Sequence, residues 1–111
     1  DQAMKLLQKV EFKDIFHNLN ARKMQLRMYY ELNELDALES FLDSFERYLK
    51  RHKELGYHKE HHLNLIRVVR KMIRIPKFQK SAIQQLREEV RAEDGLIDKR
   101  WILAQLGFDE Q

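Results

Sequence analysis

Five apolar residues in the middle of the chain, Leu35, Leu38, Leu42, Phe45 and Leu49, are spaced by 3, 4, 3 and 4 residues. That rhythm gathers them on one side of an α-helix, with its 3.6-residue turn, and on no single face of a strand, whose period is two. Phe41 and Tyr48 widen the stripe, while Glu39, Glu46, Arg47 and Lys50 take the other faces. A helix with one apolar side must bury it against another element. The 111 residues contain only 3 Gly and 1 Pro, too few turn residues for a strand-rich domain. The expected fold class is all-α.

Helical spacing continues in both directions along the chain. Residues 2–10 read as the tail of a helix with Met4 and Leu7 on one face, and residues 11–18 as a less regular stretch. In that stretch Asp14, Asn18 and Asn20 offer N-cap side chains. From about Leu19 to Leu32 the residues Leu19, Arg22, Leu26, Tyr29 and Tyr30 recur at helical steps. Asn33-Glu34 is the expected turn, with Asn33 placed to cap the stripe helix, which should stop near Lys53, before Gly56. A further helix is expected over 59–75, where Leu63, Leu65, Ile66, Val69, Met72 and Ile73 cover an arc wide enough for neighbours on two sides. Pro76 ends it. Ser81 is the expected cap of a fourth helix that buries Ala82, Ile83, Leu86 and Val90. A short last helix runs from about Asp98 to Leu106, with Gly107 beyond its end.

This order of elements predicts one domain over 1–111, built of antiparallel helix hairpins, stacked as a short solenoid or packed as a bundle. The chain opens at Asp1 inside a helical pattern, Ala3-Met4-Lys5-Leu6-Leu7, as expected of a mature product or a piece of a longer helical-repeat protein.

Residues 19–50 carry a resemblance. The stretch Tyr29-Tyr30-Glu31-Leu32-Asn33-Glu34-Leu35-Asp36-Ala37-Leu38-Glu39 resembles one degenerate tetratricopeptide-type repeat, with its tyrosine-bearing first helix, polar turn and small-residue start of the second helix. Asn33 stands where that family commonly has glycine, and asparagine tolerates the left-handed conformation a tight turn requires. The Tyr29–Ala37 spacing is one residue shorter than the family's, and Leu38 falls at its small alanine. The whole run also resembles helical C-terminal segments of uncharacterised bacterial proteins of the Bacteroidetes type. The resemblance implies a cytoplasmic, non-catalytic scaffold that binds a protein or peptide. In that setting Arg22, Lys23 and Arg27 on the first helix are the candidate contacts, as cations able to hold an acidic peptide or a terminal carboxylate.

Charge supplies the alternative. Residues 47–80 hold eleven Lys and Arg against two Glu, a local balance of +9, while the remainder has ten basic and sixteen acidic residues, or −6. Arg67, Arg70, Lys71 and Arg74 share one broad helical face, with Lys77 and Lys80 just beyond. Such a face suits a nucleic acid or an anionic membrane surface. Asp36, Glu39, Asp43 and Glu46 in the preceding helix are equally placed to neutralise it.

Enzyme chemistry finds little support. There is no cysteine and no threonine, the three serines lie in no strand–turn–helix elbow, and no glycine-rich loop cradles phosphate. His58 and His62, four apart on a helix, are the weak candidates for a metal, with no third ligand specified and no cofactor implied. No apolar run approaches the roughly 20 residues of a membrane span. Phe12, Phe16, Trp101 and Phe108 near the chain ends are expected to cap the stack or to support self-association through the terminal helices.

Overall fold

The structure, a computed structural model, describes residues 2–107, without the side chains of Met4 and residues 6–12. The side chains of Met4, Leu7, Phe12 and Phe108 therefore lie outside the described residues. The elements are α1 (Gln2–Glu31), α2 (Leu35–Arg51), a 3₁₀ turn (Lys53–Leu55), α3 (Tyr57–Arg74), α4 (Lys80–Ala92) and α5 (Lys99–Gln105). No strand occurs among the described residues, and the chain is all-α. Backbone proximity divides it into two compact units, Asp1–Phe41 and Leu42–Gln111, with the boundary inside α2.

In the first unit α1 runs unbroken for 30 residues, about 45 Å at the rise of an α-helix. The irregular stretch expected at 11–18 is absent. No glycine or proline interrupts Gln2–Glu31, and Asp14, Asn18 and Asn20 sit exposed within the helix instead of capping one. Leu19 and Leu26 are buried on its inner side. The helix ends in a Schellman arrangement: the Glu34 amide donates to the Tyr29 carbonyl at 2.9 Å and the Asn33 amide to that of Tyr30 at 3.0 Å. Asn33 has φ 60, the left-handed conformation the closure demands. Asn33 does not cap α2, because the first carbonyl accepting within that helix is that of Glu34, from the Leu38 amide. Across the turn the rings of Tyr29 and Phe41 lie 5.5 Å apart.

The second unit is organised around α3. Its buried residues, His62, Leu65, Ile66, Val68, Val69 and Met72, span about 160° of the helix circumference. The same unit also buries Leu42, Phe45, Tyr48 and Leu49 of α2, Leu55 of the 3₁₀ turn, Leu86 and Val90 of α4, then Leu96, Ile102 and Leu106. Each fully buried Leu or Phe removes enough apolar surface from water to contribute roughly 1.5–3 kcal/mol.

Polar contacts fix the connections. Asn64 donates from Nδ2 to the Gly95 carbonyl at 2.7 Å, tying the α4–α5 loop to α3. Lys99 Nζ reaches the Arg91 carbonyl and Arg87 Nε the Leu106 carbonyl, so a cation meets the free carbonyls at the ends of α4 and α5. Gly107, with φ 79, follows the end of α5 as expected. Ser81 is not a cap: α4 begins at Lys80 behind Gln79, with no side-chain hydrogen bond at its start. Asp98 precedes α5 in a left-handed conformation, φ 59.

Candidate interaction surfaces

The α3 face carrying Arg67, Arg70, Lys71 and Arg74 is divided by its neighbours. Arg70 sits toward α2 and donates from one terminal nitrogen to Asp43 Oδ1 and Glu46 Oε1, both at 2.8 Å. Glu46 also holds Lys50 of its own helix at 3.0 Å. Arg67 and Lys71, one turn apart, face α4. Glu89 Oε1 accepts from Lys71 Nζ at 2.7 Å and from Arg67 at 3.1 Å, and Glu93 takes the other Arg67 nitrogen at 3.2 Å. Arg74 lies on the side of α3 opposite its buried arc and is exposed. Three of the four cations are thus neutralised by α2 and α4. Of the acids in the preceding helix, Asp43 and Glu46 supply the partners, while Asp36 and Glu39 remain exposed.

The ionisation of these groups follows. The hydrogen bonds from Lys50, then from Arg70, hold the Glu46 carboxyl below its ordinary value. That of Glu89 is lowered by Lys71 against some burial, with Arg67 adding to the effect. Burial works to lower the Arg70 pKa, but the hydrogen bonds from Glu46 and Asp43 outweigh it and raise the value.

On α1, Lys23 and Arg27 are four residues apart and lie side by side, whereas Arg22 is about 100° from Lys23 around the helix. All three are half-buried. Beside Arg27 runs a feature the sequence reading passed over. Met24, Met28 and Leu32 follow at steps of four and are exposed by 69%, 50% and 65%. The signal was available: Met24 and Met28 each stand two residues from buried Leu26, about 160° around the helix.

The histidines separate. His62 is a core residue, 2% exposed, with Nδ1 2.6 Å from the His58 carbonyl and its ring edge-on to Phe45. His58 is half-buried under the exposed ring of Tyr57, 4.1 Å between centroids, and Tyr57 also meets His61. Among the described residues no group of three or more His, Cys, Asp or Glu could hold a metal. Phe16 and Trp101 are half-buried.

Two other surface features belong to the second unit. Between α3 and α4 lies an open cleft of about 320 Å³, floored by Ile75, Ala82 and Leu86 and edged by Lys71, Arg74, Gln85 and Glu89. At the α3–α4 corner the residues from Pro76 to Ser81 are all exposed, with Phe78 at 80%. No helix among the described residues is long and apolar enough to cross a membrane. No protein-family model, curated protein or solved structure matches this chain.

Proposed function

We propose that the chain is a non-catalytic helical-repeat module that binds another protein through the outward face of α1. The observation that carries this reading is the exposed row Met24, Met28 and Leu32. Isolated surface methionines need no explanation, but an apolar row at helical spacing, rimmed by polar residues, is the form of a helix-docking face. Methionine suits it, since its flexible thioether side chain adapts to a partner's contours. Lys23, half-buried on the same helix, favours a partner helix that carries acidic residues beside its own apolar stripe. The Schellman turn at Asn33 and the Tyr29–Phe41 contact support reading α1 and α2 as a repeat-type hairpin.

The pairing of Arg67, Arg70 and Lys71 with carboxylates weighs against their use as a phosphate-binding face, because each would have to give up an internal acceptor. The test is affinity capture from a bacterial lysate with nuclease treatment and a salt series. The intact chain is compared with a Met24→Glu/Met28→Glu variant. Capture of a few proteins that persist through nuclease and moderate salt, and disappear with the variant, is the expected result. Capture dominated by nucleic acid and lost at moderate salt would overturn the reading.

A further inference from the structure

At the α3–α4 corner the chain turns within four residues, closed by the Gln79 amide on the Pro76 carbonyl at 3.1 Å, which leaves Lys77 and Phe78 at the apex. Phe78 is 80% exposed, more than Met24, Tyr57, Leu32 or Met28. Within four residues of it in the chain are Arg74 at the end of α3, Lys77 in the turn and Lys80 at the start of α4, all exposed. Among the described residues none of these three makes a side-chain hydrogen bond or ion pair. No acidic residue occurs between Glu60 and Glu88. Among the described residues the carboxylates paired with α3 cations are Asp43, Glu46, Glu89 and Glu93, and they are occupied by Arg67, Arg70 and Lys71 further along the helix. The tertiary structure thus cancels the positive charge along the shaft of α3 and leaves it standing around an exposed aromatic ring at the tip.

We infer that this corner docks on an anionic lipid surface, with Phe78 entering the interface between headgroups and acyl chains and Arg74, Lys77 and Lys80 against lipid phosphates. The inference goes beyond the protein-binding reading and uses residues outside α1. An exposed corner with one apolar ring and three exposed cations close by in the chain suits a plane of negative charge covering an apolar layer. A single strand of nucleic acid fits less well, since it takes successive aromatic platforms along a groove. The exposed Tyr57 lies at the other end of α3, about 25 Å away by the helix rise, and its ring is already against His58. Each cation near such a surface strengthens binding on the order of fivefold, so three cations and one ring give reversible attachment.

The experiment is co-sedimentation of the purified chain with phosphatidylcholine vesicles that contain or lack phosphatidylglycerol. Binding to the anionic vesicles alone, weakened by salt, is expected. Lys77→Glu/Lys80→Glu should reduce it on the order of 100-fold and Phe78→Ala several-fold, with melting temperatures not lowered because all three side chains are exposed and the lysines make no side-chain hydrogen bond or ion pair among the described residues. In a Phe78→Trp variant the added emission should shift to the blue on anionic vesicles. Sedimentation that is absent, or equal with pure phosphatidylcholine, overturns the inference. So does binding that Phe78→Ala leaves intact, or binding of a single-stranded oligonucleotide through Phe78 without vesicle binding. None of these outcomes touches Met24 and Met28, so the two proposals fail separately.

Discussion

Glu89 governs two cations of α3 with one oxygen, and its carboxyl is held below the ordinary pKa by Lys71 first and Arg67 after it. A carboxylate whose pKa is depressed by folding stabilises the fold above its unfolded pKa and loses that contribution as pH falls through the folded one. Glu89→Gln should therefore lower stability at neutral pH by about 0.5–1 kcal/mol, a modest figure because the group is more than a third exposed. The gap between variant and parent should close as the pH drops below about 4, read by urea titration across a pH series. Backbone conformation sets a second residue-scale expectation. Asn33 is held at φ 60, where a β-branched side chain clashes with its own backbone. Asn33→Val should cost about 1–2 kcal/mol, while Asn33→Gly should stay within about 0.5 kcal/mol, measured by the same titration.

The helices differ in how they use their apolar residues. In α2 these form one stripe, and Leu38, Leu42, Phe45 and Leu49 are all fully buried, as their spacing required. In α1 and the turn that follows it they lie on both sides: Leu19 and Leu26 inward, Met24, Met28 and Leu32 outward. The consequence is a contrast in mutational cost. Phe45→Ala leaves a cavity in the second unit and should cost about 3–5 kcal/mol. Met24→Ser/Met28→Ser removes no packed group and should change stability by less than about 0.5 kcal/mol, with thermal melts deciding between the two. Helix ends follow a different logic. The expected caps at Asn33 and Ser81 are not used, and the free carbonyls of α4 and α5 are met by Lys99 and Arg87 from elsewhere in the chain. The local N-capping candidates stay unused at the helix starts, while at the helix ends cations from other segments donate to the free carbonyls.

Across the whole molecule the formal charge of +3 understates how unevenly charge is arranged. Arg67→Glu/Lys71→Glu would set new carboxylates against Glu89 and Glu93 and should destabilise by about 2 kcal/mol or more, whereas the same reversal at Lys77 and Lys80 should leave the melt unchanged. The amino-acid sequence by itself determined the helical class, the stripe of α2, Leu65, Ile66, Val69 and Met72 of the α3 arc, the turn at Asn33 and the stop at Pro76. Each of these depends on period, propensity or backbone freedom, which are properties of neighbours in the chain. Of the expected arc Leu63 and Ile73 are only half-buried, and His62 and Val68 are buried instead. The sequence did not reveal the continuity of α1, because asparagines at exposed helix positions look the same as asparagines at caps. Nor could it sort the cations of 47–80 into paired and unpaired, or the histidines into a core residue and a surface one. Those distinctions depend on which groups from distant segments arrive alongside. Only the tertiary structure brought Asp43, Glu46, Glu89 and Glu93 to Arg67, Arg70 and Lys71, seated His62 against Phe45, and left Arg74, Lys77 and Lys80 without an ion pair among the described residues.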